Sequence, residues 1–254
     1  MSDLDAVHQP LLPSASTPPA VSAGQQEYRT GLEGRTMAQV ARRSNLSRSA
    51  IPAQGAAIAF AALVWAWMLN KLPSPLPTFG YHPLIQSLGL VLLTQSLLVL
   101  QPTTTPASKK AGLKWHQIFN LLLVLPLFTA GASIMYYLHD QPGQKHFISW
   151  HGTLGFVVVI YAWFQAAIGA ASVWFKGALV GGEIRGKALW KYHRLSGYLL
   201  LSLFLVTFVL AILETTWSTK NGSILQHGTA LALVAVLGAS IFARVNTNKL
   251  PKLK

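Results

Sequence analysis

The sequence contains no cysteine, which excludes disulfides, Cys-ligated zinc, iron–sulfur clusters and covalent haem attachment through a C-x-x-C-H motif. Any metal must be held by His, Met or oxygen ligands. Charge is also scarce: 11% of the 254 residues are charged and 52% are hydrophobic, whereas soluble globular domains carry about a quarter charged residues. Acidic residues are the rarest, seven Asp and Glu against twenty Lys and Arg, for a formal net charge of +13. Binding to nucleic acid would need those cations gathered on one folded face. Here they stand between long apolar runs, so no nucleic acid is expected as a partner. Phosphate loops of the G-x-G-x-x-G or G-x-x-x-x-G-K-[ST] type are missing too, which argues against NAD, FAD and ATP.

Residues 1–48 hold many Pro, Ser, Ala and Gln and no apolar block. Such a segment buries too little apolar surface to offset its ordering entropy, so a disordered tail is predicted, with His8 solvated in it. It also lacks the early apolar stretch of a signal peptide. Between residues 49 and 245 come six apolar stretches, at 51–70, 82–100, 116–138, 150–175, 192–214 and 223–243. Each is close to the roughly 20 residues with which a helix crosses a hydrocarbon layer of about 30 Å. The stretches are continuous and do not alternate, which argues against a β-barrel. The reading is an all-α membrane protein with six transmembrane helices and a four-helix core made by the second to fifth, followed by a basic C-terminus at 246–254.

Cytoplasmic loops retain Lys and Arg. Arg29, Arg35, Arg42, Arg43 and Arg48 of the tail fall on one side, as do Lys109, Lys110 and Lys114. Lys176, Arg185, Lys187, Lys191 and Arg194 join them, with Arg244, Lys249, Lys252 and Lys254 at the C-terminus. Only Lys71, Lys145 and Lys220 fall opposite. Seventeen of twenty on one side predicts that both termini are cytosolic, and it explains the net charge as a topology signal.

Four of the eight histidines open consecutive predicted helices: His82, His116, His151 and His193, at spacings of 34, 35 and 42 residues. Successive helices alternate in direction, so His82 and His151 fall toward the non-cytosolic face and His116 and His193 toward the cytosolic one. A lone His near an interface is commonly a polar boundary residue. Four at equivalent positions, paired face by face, point instead to ligation, because two imidazoles from facing helices fill both axial positions of a haem. Two non-covalent haems stacked across the membrane are therefore expected. Four residues beyond each His, on the same helix face, stand Gln86, Asn120, Gly155 and Gly197. A glycine there leaves room for a flat macrocycle, and an inward amide can bond a ligand ring or a propionate; close helix packing is the other use of such glycines. Irons one to two turns below each face would lie roughly 15 to 20 Å apart, close enough for electron tunnelling.

The motifs Tyr81-His82-Pro83-Leu84, Lys114-Trp115-His116, His146-Phe147-Ile148-Ser149-Trp150-His151-Gly152 and Tyr192-His193-Arg194-Leu195-Ser196-Gly197-Tyr198 resemble the cytochrome b561 family of ascorbate-dependent transmembrane reductases. The small branch comprising little beyond this domain is the most similar, over about residues 50 to 245. The resemblance implies two b haems, ligated by His82 with His151 and by His116 with His193. It also implies a cytosolic donor, typically ascorbate, and a non-cytosolic acceptor such as monodehydroascorbate or a ferric chelate. The chemistry is then the cofactor's, and no catalytic side chain is expected.

The family's best-studied members arrange the basic residues beside the cytosolic haem differently. Here Lys114, Lys191 and Arg194 are the candidates for neutralising an ascorbate anion or a propionate, although the positive-inside bias alone also accounts for them. In the non-cytosolic loop at 138–146, His139, Lys145 and His146 are candidates for holding an anionic acceptor or a ferric chelate. No NADPH or flavin domain is expected after the sixth stretch. A haem-carrying anchor that delivers electrons to a partner enzyme is the alternative reading. A haem-free transporter is a third, although Pro126 is the only proline well inside the third stretch and broken helices are otherwise missing. The host membrane (endomembrane, vacuolar or plasma) and assembly as a homodimer are left open.

Overall fold

The computed structural model describes residues 26, 35–42, 49–100, 103–245 and 250–251. A backbone withdrawn from water must satisfy its own N–H and C=O groups, and the apolar stretches do so as helices. These are α1 (Ala50–Lys71), α2 (Thr78–Leu98), α3 (Pro106–His139), α4 (Trp150–Val173, continued by a 3-10 turn over Trp174–Val180), α5 (Glu183–Leu213), the short α6 (Thr216–Asn221) and α7 (Ile224–Phe242). Among the described residues there is no strand. Five of the described helices, α1, α3, α4, α5 and α7, are long and apolar enough to cross a membrane. The second expected span, α2, is 21 residues long, but Tyr81, His82, Gln86, Ser87, Thr94, Gln95 and Ser96 dilute its apolar side chains. It falls short in composition, not in length.

Two helices begin earlier than apolarity indicates. Residues 106–115 are polar, yet they are helical from Pro106 onward because Thr105 and Ser108 form a reciprocal capping box with proline in the first turn. Likewise α5 starts at Glu183, nine residues before the apolar stretch. Hydropathy marks where hydrocarbon begins, whereas caps and propensity mark where the helix begins. The expectation that all four histidines open helices is therefore corrected. His82 and His151 lie at or near the first turns of α2 and α4, while His116 and His193 lie about three turns inside α3 and α5. Within α3 the backbone widens into a π turn over Phe119–Val124, just before Pro126. Proline has no N–H to return to the preceding turn, and a locally widened turn absorbs the missing bond.

The helices pack in a ring: α1 against α2 and α7, α2 against α3, α3 against α4, α4 against α5, and α5 against α7. The core runs through the middle of the ring, with Phe60 edge-on to Phe208 at 5.6 Å and Phe128 stacked on Phe204 at 4.6 Å. The two ends of the ring meet where Arg244 Nη1 donates to Ser49 Oγ at 3.3 Å.

Part of the N-terminal stretch expected to be disordered is a described helical segment, residues 35–42. Its Val40 is buried, and the Met37 carbonyl accepts a hydrogen bond from Trp115 Nε1 at 3.3 Å. This segment therefore rests beside the turn of α3 that carries His116. Of the expected cytosolic cations, Arg29, Arg43, Arg48, Lys249, Lys252 and Lys254 lie outside the described residues, as does His8.

Candidate functional site

The antiparallel run of α2 and α4 against α3 and α5 brings the four histidines to two levels. At the first level, the N-terminal ends of α2 and α4 meet the C-terminal halves of α3 and α5. His82 and His151 face each other there, with ring centroids 6.0 Å apart and planes at 79°. His82 Nδ1 lies 2.8 Å from the Gly131 carbonyl of α3, and His151 Nδ1 lies 3.0 Å from the Thr207 carbonyl of α5. A carbonyl only accepts, so each Nδ1 carries the proton and each Nε2 keeps a free lone pair. An imidazole nitrogen sits about 2 Å from a first-row metal, so two axial imidazoles on one ion place their ring centroids about 6 Å apart. The observed separation matches that requirement.

The second level lies about 21 Å further along α2, the rise from His82 to Ser96 at 1.5 Å per residue. His116 Nδ1 is 3.0 Å from Ser96 Oγ and 3.3 Å from the Ser96 carbonyl. The Asn120 amide stands 3.1 Å from the same nitrogen and donates to Ser96 Oγ and to the His116 carbonyl. On α5, the His193 ring lies against Gly169 of α4, where an added Cβ would sit 2.8 Å from its Cε1. Gln165 Nε2 donates to the His193 carbonyl at 2.5 Å, and Ser196 Oγ donates to Gln165 Oε1 at 2.7 Å. His116 and His193 lie near each other at this level. His193 Nδ1 is buried with no hydrogen-bond partner among the described residues, a costly state that a bound group engaging this nitrogen would relieve.

Between the levels the bundle is filled by Leu90, Phe128, Val158, Leu201 and Phe204. Among the described residues no three His, Asp or Glu side chains converge as they do around a protein-ligated ion. The facing imidazoles of His82 and His151 suit instead a macrocycle that brings its own four equatorial nitrogens.

The other expected residues divide. Asn120 contacts the ring of His116. Gln86 instead donates to the Phe128 carbonyl at 3.2 Å and fills the space above Gly131. A Cβ on Gly155 would meet only Thr207 Cγ2, at an ordinary 3.6 Å, and one on Gly197 would sit 3.0 Å from Gln165 Nε2. Gly169, against the His193 ring, and Gly131, where an added Cβ would meet Gln86, lie on the opposing helices. No signal within each histidine's own helix could have found them, nor Ser96, Gln165 and Thr207. They follow only from the pairing of helices.

Lys114 and Lys191 are exposed, each two residues before its histidine, and Arg194 is half-buried beside His193. The Lys191 ammonium stands 5.1 Å from the ring centroid of Tyr192. At the other end, His139 and His146 come together, with ring centroids 6.4 Å apart. His146 stacks near Tyr136 at 4.5 Å and lies 3.5 Å from Asp140, while His139 is anchored on the Met135 carbonyl at 2.9 Å. Lys145 is exposed on the same loop.

Residues 81–219 match the family model of eukaryotic cytochrome b561. The transmembrane reductase CYB561D2 of Bos taurus is 30% identical over 139 residues, which is 52% of this chain and 62% of the relative, and its Homo sapiens counterpart matches to the same extent. A putative transmembrane ascorbate-dependent reductase CYB561 homolog of Caenorhabditis elegans is 27% identical over 194 residues, 68% of this chain and 71% of the relative. The chain thus matches less than two thirds of the length of the mammalian relatives.

Proposed function

The chain belongs to the cytochrome b561 family, a multi-pass membrane family whose cofactor is haem b, and from that premise we propose that it carries single electrons across a membrane. The donor is cytosolic ascorbate, and the acceptor on the other face is monodehydroascorbate or a ferric chelate. Two b haems are held without covalent attachment, one by His82 with His151 and one by His116 with His193. The observation that carries this reading is the 6.0 Å separation of the His82 and His151 rings, each with its Nδ1 anchored on a carbonyl. Haem b supplies a one-electron Fe(III)/Fe(II) couple at each level, with a potential set by ligand, burial and nearby charge.

The chain's own residues do the rest. Gly131 and Thr207 fix the tautomers of the first pair, and Ser96 holds the ring of His116. The Phe128–Phe204 stack and its aliphatic neighbours exclude water between the levels. α2 crosses as the sixth span, its polar side chains turned to the site and its neighbours, and both termini face the cytosol under the Lys and Arg bias. At the cytosolic mouth Lys114, Lys191 and Arg194 attract the ascorbate anion. On the other face His139, Lys145 and His146 receive the acceptor.

Vesicles carrying the purified protein, loaded with a ferric chelate and supplied with external ascorbate, test this function. Internal chelate should be reduced only when the protein is present, and at a rate that saturates with ascorbate. Reduction no faster than in protein-free vesicles would refute transmembrane transfer.

A further inference from the structure

Glu214 ends α5 and serves none of the contacts described so far. Its carboxylate accepts two backbone hydrogen bonds from α4: Trp150 N–H to Oε1 at 2.9 Å and His151 N–H to Oε2 at 3.0 Å. These are the first two amides of α4, which no turn of their own helix can satisfy. The third, Gly152, is taken by Ser149 Oγ at 3.1 Å. A carboxylate receiving two N–H groups makes charge-assisted bonds, stronger than neutral ones and fixed in direction. The same helix also takes the ring of His151, through the Thr207 carbonyl. Thr207 and Glu214 are seven residues apart, two turns of α5, so α5 grips His151 at two points, the ring below and the main chain above.

Among the described residues no comparable grip is present on His82. His82 lies beside Pro83, inside the opening turns of α2, where a residue without an N–H interrupts the helix ladder. His82 is fixed by its ring contact to Gly131. Within the first pair, His151 is thus the member held by main chain and ring together. The carboxylate that holds it also lies close enough to interact electrostatically with its imidazole.

We propose that Glu214 is a positioning residue for the His82/His151 pair: it clamps the first turn of α4 so that His151 meets its partner, and it places a fixed negative charge beside this pair and not beside His116/His193. A negative charge near the iron favours the more positive, oxidised state, so it lowers the midpoint potential at this level and makes the site a stronger reductant for its acceptor. The charge effect rests on the haem assignment proposed above, whereas the clamp does not.

Two variants separate the roles. Glu214→Gln keeps the length and one acceptor but removes the charge; Glu214→Ala removes both. Spectroelectrochemical titration of purified protein reads the two potentials, with the haem lost in His151→Ala identifying the pair concerned. Glu214→Gln should retain both haems and raise the potential of that pair alone. An unchanged potential, or an equal rise at both levels, overturns the charge role. Amide exchange by mass spectrometry on peptides covering 148–154 reads the clamp and needs no haem. In Glu214→Ala the amides of Trp150 and His151 should exchange about tenfold faster or more, the scale of a lost charge-assisted bond, with little change in Glu214→Gln at His151 or Trp150, whichever the amide oxygen retains. Unchanged exchange at both overturns the clamp. A wild-type protein that binds no haem would refute the proposed function while leaving the exchange result to decide the clamp.

Discussion

His193 shows how narrowly an imidazole ring is placed. Its Cε1 lies where a Cβ on Gly169 would stand 2.8 Å away, closer than carbon atoms approach, so Gly169→Ala should displace the ring. Overpacking of this kind typically costs 1–3 kcal/mol, about that range here. Haem content measured by optical spectrum should show loss at the His116/His193 level and retention at the other. Gly155→Ala, meeting only a methyl at 3.6 Å, should leave the stability of the bundle unchanged. The histidines themselves should sort by level: His151→Ala removes or loosens the haem shared with His82 and leaves the other reducible by ascorbate, and His193→Ala does the reverse. Equal loss of both haems from either variant would contradict the pairing. The four histidines were legible in the sequence because each interrupts apolar surroundings at regular spacing. Gly131, Gly169, Ser96, Thr207 and Glu214 were not, since what they touch lies on another helix and spacing along one helix carries no trace of it.

At the scale of the helix, the unexpected feature is that α3 and α5 run on for about three turns beyond His116 and His193. The apolar stretches were readable from composition, but the polar first turns of α3 and α5 were not, because capping at Thr105 and ordinary helix formers extend a helix past the point where hydropathy falls. These turns carry Lys109, Lys110 and Lys114 on one helix and Lys187 and Lys191 on the other, which makes a cationic approach to the second histidine level. Attraction at such a mouth raises encounter rates and is screened by salt over about 8 to 10 Å. Lys114→Ala and Lys191→Ala should therefore slow reduction by ascorbate in stopped-flow measurements and flatten its dependence on ionic strength, while reduction by a small neutral reductant changes little. Lys145→Ala, on the loop after α3, should leave ascorbate reduction intact and slow only re-oxidation by an anionic acceptor. Wild-type kinetics across salt for both Lys114→Ala and Lys191→Ala would assign those lysines to topology alone.

Across the whole molecule, the ring of helices keeps the two histidine levels apart and fills the space between them with apolar side chains. Phe128 is at the centre of that filling, almost fully buried, stacked on Phe204 and in contact with the space beside Gly89. Phe128→Ala should lower thermal stability by about 3–5 kcal/mol, the usual cost of emptying a buried aromatic site, read as a drop in the melting temperature of the detergent-solubilised protein. If the bundle is built to hold one haem at each histidine level, the decisive quantity is how many haems a chain carries and how their irons are ligated. Haem extracted from the purified protein and counted against chain concentration, together with the absorption spectrum of the intact reduced form, measures both. Two non-covalent haems per chain, both low-spin and six-coordinate and neither binding carbon monoxide rapidly, is the expected result. A ratio near one, or rapid carbon monoxide binding by intact reduced protein, would contradict the four-histidine assignment.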